Sequence, residues 1–414
     1  MVIRVECLVE RCAGVDIGKA DLKVCVRVPG SRGGRRSQTK TFATTTSALL
    51  QLRQWLVDQR VTVVAMEATG DYWKPVYYLL EDRFEVQLLN AAHMRNVPGR
   101  KTDVSDAGWI AQLVEHGLVR PSFVPPPPIR RLRDLTRYRS ALIGERTREK
   151  QRVEKVLEDA GIKLSTFVSD IFGVSGRAML AALINGQRDP RVLAEYARAR
   201  MRRKIPALIE ALTGRFSEHH AFLCRMMLAH IDALDAAIAE VTGQVEAEIQ
   251  PFQAVADRLD TIPGVNQRTA QTIIAEIGVD MTRFPTAAHL ASWAGMCPGN
   301  NESAGKHHSG RTRKGNSWLR AALGEAAAAG VGTKNTYLQA QYRRLAGRRG
   351  KKRALVAVGH TILVATWHMI TNEVDYQDLG PTHYLTRIDP ARHTRRLVIQ
   401  LQQLGYQVQL NPAE

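Results

Sequence analysis

Four consecutive prolines, Pro125 to Pro128, interrupt this chain of 414 residues. Proline lacks a backbone N–H and has a fixed φ angle, so neither a helix interior nor a central strand continues through such a run. Prolines in series form a stiff, extended spacer instead. The segment PSFVPPPP (121–128) therefore predicts a domain boundary, with a different kind of structure on each side.

The residues before the prolines alternate between strand and helix patterns. Residues 12–28 predict two short strands around a glycine-containing turn. VTVVAMEA (61–68) and EVQLLN (85–90) are apolar or β-branched runs typical of strands, whereas 46–59 and 103–117 have helical spacing. Strands first, followed by strands that alternate with helices, predict an α/β sandwich that ends near residue 120.

The residues after the prolines have a helical composition. One heptad seam predicts a long helical hairpin or a dimer-forming coiled coil, with 161–215 as a helical excursion at its tip, and an ordinary core helix is the alternative. The hairpin 259–278 follows, and its Pro-Gly turn is of a kind that presents backbone N–H groups to phosphate. The apolar positions of the seam are Met227, Ile231, Leu234, Ile238, Val241 and Val245.

The positive charge of the chain is concentrated in two segments. Lys and Arg total 58 against 40 Asp and Glu, a formal charge of +18. Residues 303–372 hold thirteen basic residues and one acid, Glu325, and residues 22–57 hold seven basic residues and no acid. Such segments neutralise phosphates and release counterions. This favours nucleic acid as the ligand over a merely solvated basic face.

Composition excludes several classes of protein. The 44% of hydrophobic and 24% of charged residues indicate a folded chain. Five scattered cysteines without a C-x-x-C pair argue against a disulfide framework or zinc module and favour a reducing cytoplasm. The longest apolar stretch, 355–370, contains His360 and His368, and the N-terminus lacks a signal-peptide core. We expect a cytoplasmic, nucleoid-associated protein without membrane partners.

Four carboxylates stand where a metal site could be built. Asp16 interrupts an apolar strand, Glu67 ends another, and Asp103 and Asp106 open a predicted helix on one face, three residues apart. Hard oxygen ligands of this kind suit Mg²⁺, which polarises phosphoryl groups. Each acid has an alternative role: Asp103 as a helix N-cap, Glu67 as a strand-end surface acid, and Asp16 in turn chemistry.

The strings around these carboxylates resemble a known family. GVDIGKADLKVCV (14–26), VAMEATGDYWKPVYYLLED (64–82) and NVPGRKTDVSDAGWIAQLVEHG (96–117) are similar to the Asp-Glu-Asp-Asp domain of IS110-family insertion-sequence transposases. These are bridge-RNA-guided recombinases, with the Piv-type invertases as relatives. The resemblance implies an α/β RuvC-like (RNase H-like) N-terminal domain. The metal-binding carboxylates that it implies are Asp16, Glu67, Asp103 and Asp106.

Strings in the C-terminal half resemble the transposase domain of the same family. They are LDTIPGV (259–265), FPTAAHLASWAG (284–295), NESAGK (301–306) and TRKGNSWLR (312–320). In that domain a Ser-Gly-Gly-Lys-like loop carries a nucleophilic serine. Ser303 occupies this position, with Ala304 where the family often has glycine.

The residues of this loop allow more than one interpretation. A serine among cations can act as a nucleophile, because the cations clamp the scissile phosphate and its transition state. A flexible loop whose cations only grip backbone phosphates is the alternative, and Ser309 and Ser317 compete with Ser303. His307 and His308 lack further ligands at zinc spacing. The expected nucleic-acid-binding residues are Lys306, Arg311, Arg313, Lys314 and Arg320.

These features predict a DNA transposase or recombinase. The resemblance implies that Ser303 forms a covalent 5′-phosphoserine intermediate with DNA, assisted by Mg²⁺. It also implies a structured guide RNA, and a homo-oligomer, dimer or tetramer, with a composite site. A metal-only, structure-selective nuclease and a non-catalytic architectural protein are the two alternatives.

The same features predict four regions. Residues 1–126 are the RuvC-like domain with the Asp-Glu-Asp-Asp site, and 127–255 are a helical, coiled-coil linker for oligomerisation. Residues 256–378 are a mostly α-helical serine transposase domain, and 379–414 are a C-terminal extension.

Overall fold

A computed structural model describes residues 6–31, 34–68, 70–91, 94, 105–299, 301–303, 305–309, 312–384 and 389–411. The chain forms two compact units, residues 1–124 (unit 1) and 125–414 (unit 2). The finer boundaries at 255 and 378 stay predictions.

The described part of unit 1 contains a mixed sheet of five strands, in the order β3-β2-β1-β4-β5. β1, β2 and β3 are antiparallel neighbours, and β4 and β5 run parallel to β1. The predicted α/β character of the N-terminal part is thereby confirmed. In chain order the elements are β1 (Cys12–Ile17), β2 (Asp21–Pro29), β3 (Arg35–Ala43), α1 (Thr46–Asp58), β4 (Val63–Glu67), α2 (Trp73–Leu80), β5 (Glu85–Leu89) and α3 (Asp106–Glu115).

The sheet has helices on both faces. Val15, Val24 and Met66 point to the face that is packed with apolar residues of α1 and α2. Cys12 and Ala65 point to the opposite face, against α3. Burial raises the pKa of the Cys12 thiol to about 12, so this cysteine is a neutral core residue.

Strand β3 was not predicted from the sequence. It pairs with β2 over nine residues, but it lies at the edge of the sheet and most of its side chains are exposed. Its sequence, RRSQTKTFA, therefore lacks the apolar alternation that marks a half-buried strand. Charged side chains on an edge strand also discourage pairing with other chains.

Unit 2 begins with a helical hairpin of α4 (Pro127–Asp159) and, later in the chain, α9 (Glu218–Ile249). The expectation of a spacer through residue 128 is wrong at its end, because Pro127 and Pro128 form the first turn of α4. Proline is favoured there, since the N–H groups of the first turn have no partner within the helix.

The heptad seam is buried within this hairpin. Helices α4 and α9 are antiparallel, with Arg131 paired to Glu248 near one end and Asp159 to His220 near the other. Leu234 and Ile238 of the seam pack on Leu142 of α4. The seam therefore makes the predicted helical hairpin within one chain.

Short helices fill residues 164–211, where a helical excursion was predicted. They enclose a core with the hairpin tip that includes Leu164, Met179, Leu180 and Leu208. They are α5 (Leu164–Phe167), α6 (Val174–Ile184), α7 (Pro190–Ala194), a 3-10 helix (Ala199–Lys204) and α8 (Ile205–Ala211).

The rest of unit 2 is helical except for one β-hairpin in its described residues. A Cβ atom at Gly264 would overlap the Ala326 carbonyl oxygen and the Gly330 amide, so the Pro-Gly turn packs closely on α13. The elements are α10 (Gln253–Asp260), α11 (Gln267–Ile277), α12 (Ala287–Trp293), β6 (Asn301–Ser303), β7 (Lys306–Ser309), α13 (Ser317–Gly330), α14 (Tyr337–Arg349), α15 (Lys351–Asn372) and α16 (Pro390–Gln403).

Helix α15 is long and apolar. By length and composition alone it could cross a membrane, and within the described residues no second helix meets this criterion. Of its apolar window, 44% is buried inside the protein. It packs against α12, α13 and α14, as the central helix of this region.

Candidate functional site

Two of the predicted carboxylates follow neighbouring parallel strands of unit 1. Val15 of β1 lies opposite Met66 of β4, and Asp16 and Glu67 are the next residues of these strands. Both side chains are partly buried. The strand register thus brings Asp16 and Glu67 to the same edge of the sheet, the one at which the carboxyl ends of β1 and β4 lie.

Helix α3 lies directly over β1 next to these carboxylates. A Cβ atom at Gly14 would overlap the Ala107 carbonyl oxygen and the Ala111 amide nitrogen. Only glycine therefore allows this close approach. Because side chains two residues apart in a strand share a face, Asp16 points to the side of the sheet on which α3 packs.

Asp106, the first residue of α3, is an electrostatic neighbour of Asp16. Burial raises the pKa of the Asp16 carboxyl, and the Asp106 carboxylate raises this pKa further. Lys23, opposite Asp16 in the β1–β2 pairing, lowers the pKa. We call the edge formed by Asp16, Glu67 and Asp106 the carboxylate edge.

Asp103 lies outside the described residues, as does the prediction that it shares a helical face with Asp106. The N-cap of α3 is Ser105, whose hydroxyl accepts a hydrogen bond from the Gly108 N–H. Within the described ranges no group of three His, Cys, Asp or Glu side chains is close enough to hold a metal. The donor set itself, two adjacent acids of which one has a raised pKa, fits a hard divalent cation.

The far end of α3 is fixed by a buried carboxylate that the sequence analysis missed. Glu115 is almost fully buried and forms ion pairs with Arg27 of β2 and Arg35 of β3. The Arg27 Nε–Glu115 Oε2 distance is 2.8 Å. These pairs join α3 to the two outer antiparallel strands. Part of the positive charge in residues 22–57 therefore has an internal structural role.

In unit 2, Ser303 lies at the turn of a β-hairpin. It ends β6 and pairs with Lys306, the first residue of β7, so two residues form the turn. The second of them, Gly305, has a φ of 75°, in the left-handed region that glycine adopts readily. The expectation of an irregular loop is corrected here, because residues 301–309 include two short strands.

The other candidate serines occupy different positions. Ser309 pairs with Asn301 at the open end of the same hairpin. Ser317 is the first residue of α13. Of the three, Ser303 lies next to the turn, where the backbone reverses beside an exposed lysine, Lys306.

We call residues 297–316 the serine loop. Backbone contacts hold the two ends of this loop close together. Pro298 and Thr312 form an isolated β-bridge. A Cβ atom at Gly315 would overlap the Ala294 carbonyl oxygen, so the returning chain lies directly against the end of α12. Arg320 of α13 donates hydrogen bonds to the Thr312 hydroxyl (3.3 Å) and the Arg313 carbonyl oxygen (3.4 Å).

A fully buried carboxylate holds the last residue of the serine loop. Glu276 of α11 accepts two hydrogen bonds from Arg137 of α4, at 2.7 and 2.8 Å. It also accepts a hydrogen bond from the Asn316 amide at 2.5 Å. Arg133, one turn earlier in α4, lies 3.6 Å from the same carboxylate.

Asn316 connects this ion pair to the helix that follows. Its side-chain oxygen accepts the N–H groups of Trp318 and Leu319 at 3.0 Å each and so caps α13. One carboxylate thus joins α4, α11 and the serine loop. Glu276 is not among the residues predicted from the sequence, although an acid within the apolar run IIAEIG is a signal that a buried partner exists.

Most of the predicted nucleic-acid-binding residues are accessible. Lys306, Arg313 and Lys314 are exposed, and Arg320 is partly buried because it contacts the serine loop. Arg311 lies outside the described residues. Three of the predicted cations, Lys306, Arg313 and Lys314, are thus accessible to an anionic ligand.

Comparisons with known proteins agree on one family. Residues 13–162 match the IS110-type DEDD family described as "Transposase". Residues 256–343 match the family described as "Transposase IS116/IS110/IS902 family". Together the two matches span more than half of the chain and include Ser303, the four predicted metal-binding carboxylates and the five predicted nucleic-acid-binding residues.

Individual relatives match over shorter lengths. An uncharacterized 43.6 kDa protein of insertion element IS110 from Streptomyces coelicolor is 34% identical over 120 residues, which is 29% of this chain and 24% of that protein. The RuvC structure from Thermus thermophilus is similar over 27% of this chain and 99% of RuvC, with 13% identity and a TM-score of 0.21.

Proposed function

Since this chain belongs to the IS110 family of transposases, we propose that it cuts and exchanges DNA strands through a covalent 5′-phosphoserine intermediate on Ser303. The observation that carries the proposal is the position of Ser303 next to a two-residue β-turn, beside Lys306. The C-terminal end of the serine loop is held by hydrogen bonds to Arg320 and to the buried Glu276 carboxylate. A nucleophile carried by a segment whose ends are held in place satisfies the orientation that the attack requires.

In the proposed step the Ser303 oxygen attacks a DNA phosphorus atom. The new Oγ–P bond forms as the bond from phosphorus to the 3′ oxygen of the neighbouring nucleotide breaks. The serine hydroxyl loses one proton and the departing 3′ oxygen gains one. Lys306, Arg313 and Lys314 stabilise the additional negative charge on the phosphate, and reversal of the step with a different 3′ hydroxyl exchanges the strands.

The carboxylate edge supports a second part of the proposal. Asp16, Glu67 and Asp106, together with Asp103, would hold Mg²⁺ in this chain. When bound, such an ion neutralises charge on a phosphate. Burial and, after it, repulsion by the Asp106 carboxylate raise the pKa of Asp16, and Lys23 offsets part of this effect.

A guide RNA and self-association complete the proposal. The family resemblance implies a structured RNA that pairs with donor and target DNA, and an oligomer that combines its active-site parts from different subunits. The excess of basic residues between 303 and 372 supports a polyanionic partner. With a guide RNA, base pairing would supply the sequence specificity, and the protein would recognise backbone and shape.

A denaturing gel tests the proposal. The full chain is incubated with its copurifying RNA, Mg²⁺ and end-labelled DNA, and then denatured in detergent. We expect labelled DNA to migrate with the protein, and this adduct to be absent from Ser303→Ala and from Asp16→Ala. The matched control is Ser309→Ala, which changes the other described serine of the same hairpin and retains the adduct.

Three outcomes would contradict the proposal in different ways. DNA cleavage by Ser303→Ala without any adduct supports water attack at a metal-only nuclease site. An adduct that persists in Ser303→Ala and is lost in Ser309→Ala identifies Ser309 as the nucleophile. DNA binding without reaction in every variant, the unmodified chain included, leaves the architectural role.

A further inference from the structure

An open groove of about 370 Å³ lies between α13 and α15. Met296, Ala321, Gly324, Leu355 and Val356 give it an apolar lining. Its volume is in the range of small-molecule sites in proteins. Nothing in the proposed strand-cleavage step uses this groove.

The groove lies where the two ends of the serine loop come together. Its lining includes Met296 and Ser317, the residues immediately before and after the loop. Arg320 also lines the groove, and its guanidinium donates to the Thr312 hydroxyl and the Arg313 carbonyl oxygen. A ligand in the groove would therefore contact both ends of the segment that carries Ser303.

Positive charge borders the apolar lining. Lys351 and Lys352 are exposed and precede Leu355 and Val356 by one helical turn, so they lie on the same face of α15. Arg320 supplies positive charge on the α13 side. An apolar floor between cations matches a nucleotide, whose base has an apolar face and whose phosphate is an anion.

We propose that the groove receives a nucleobase of the DNA strand whose phosphate approaches Ser303. This inference rests on the proposed function, because that function places DNA at the serine loop. Met296, which lines the groove, is seven residues from Ser303, a reach of at most about 25 Å. At about 3.4 Å per nucleotide along one strand, the base belongs to a nucleotide within about seven positions of the scissile phosphate.

A base in the groove must leave its stack, which costs least for an unpaired nucleotide. The groove thereby favours DNA that is already opened at this position over an intact duplex. Its occupation would also position the strand, because Met296 and Ser317 are directly connected to the serine loop. The groove is thus inferred to be a positioning site for DNA, distinct from the reacting atoms.

Gly324 provides a direct test. It lies in α13 on the floor of the groove, and a Cβ atom there would have no neighbour within 4 Å. Gly324→Leu therefore adds a side chain at the lining of the groove from a position with open space around its Cβ atom. The matched control is Gly243→Leu, at an exposed glycine of α9 that also has no neighbour within 4 Å and is far along the chain from the groove. A second variant, Val356→Asp, puts a negative charge at a side chain that is 38% exposed.

The probes are a series of single-stranded DNA oligonucleotides of one sequence, each with 2-aminopurine at a different position. Fluorescence is measured with full-length Ser303→Ala protein, so that no covalent chemistry is needed. Stacking between bases quenches 2-aminopurine, and the lining given above has no aromatic side chain, so entry into the groove raises the signal. We expect the fluorescence to rise for 2-aminopurine at one or two positions. The protein concentration at half-saturation should be about tenfold higher for Gly324→Leu and unchanged for Gly243→Leu.

The outcomes separate this inference from the proposed function. Equal signals in Gly324→Leu and Gly243→Leu, or no loss in Val356→Asp, would overturn the groove assignment even if the serine adduct forms. A signal given only by an RNA oligonucleotide of the same sequence would assign the groove to RNA and also overturn it. A groove-dependent signal in a protein that forms no serine adduct would leave base binding intact and contradict the proposed function alone.

Discussion

The carboxylate edge of unit 1 and the serine loop of unit 2 are positioned by different physical means. At the carboxylate edge, α3 approaches β1 because Gly14 has no side chain, so steric fit sets the position of Asp106. At the serine loop, a buried carboxylate, Glu276, collects Arg137 and Asn316 from distant parts of the chain. Added volume destabilises a tightly packed contact, whereas the loss of one charge destabilises a buried ion pair. We therefore expect different substitutions to destabilise the two regions.

The largest effect is expected from Glu276→Ala. Loss of the carboxylate leaves Arg133 and Arg137 without their shared anion and removes the acceptor of the Asn316 side-chain amide, so we expect the free energy of unfolding to fall by about 3 kcal/mol. Urea denaturation of the full chain measures this. The control is Glu248→Ala, which breaks the more exposed pair with Arg131 and should cost less than about 1 kcal/mol. Similar losses of unfolding free energy in Glu276→Ala and Glu248→Ala would show that burial does not increase the contribution of Glu276 to stability.

A smaller effect is expected from Gly14→Ala. The added methyl group collides with backbone atoms of Ala107 and Ala111, so α3 must move away from β1, at a cost of about 2 kcal/mol. Gly243→Ala, in an open part of α9, should instead stabilise the protein by about 1 kcal/mol. Thermal unfolding compares the two. If Gly14→Ala is as stable as Gly243→Ala, the steric account of the carboxylate edge is wrong.

The smallest effect is expected from Asp16→Asn, and it has the opposite sign. The pKa of Asp16 is raised in the folded state, so its contribution to stability is present below the pKa of the unfolded chain and is lost as the pH rises through the folded value. At neutral pH the substitution should therefore stabilise unit 1 slightly and abolish the serine adduct. Denaturation at pH 4 and pH 7 checks this, with the exposed Glu10→Gln as control. Destabilisation by Asp16→Asn at pH 7 would contradict a raised pKa of Asp16 in the folded state.

The comparison also explains which parts could be predicted from the sequence. Strands β1, β2, β4 and β5 have apolar or β-branched runs, and these patterns indicated that Asp16 lies within one strand and that Glu67 ends another. The polar edge strand β3 carries no such pattern. Nor does the β6–β7 hairpin, whose residues NESAGKHHS lack apolar alternation.

Long-range polar contacts were beyond the reach of local patterns. Glu276 and Arg137 are 139 positions apart, and Glu115 and Arg27 are 88 apart. Nothing in the local sequence around either acid identifies its partner. Gly14 is a similar case, because its importance comes from the helix that lies over it. Sequence patterns therefore indicated which residues carry the chemistry, whereas the residues that position them became visible only in the structure.

Helix α4 has a mechanical consequence for the serine loop. It has 33 residues and is therefore about 50 Å long, and Arg133 and Arg137 lie within its first four turns. About 33 Å of helix extends beyond Arg137, so a tilt of about 10° at the Glu276 end moves the opposite tip by about 6 Å. A small tilt at the Glu276 end of this helix would therefore produce a displacement at its tip that is large enough to follow with a pair of probes.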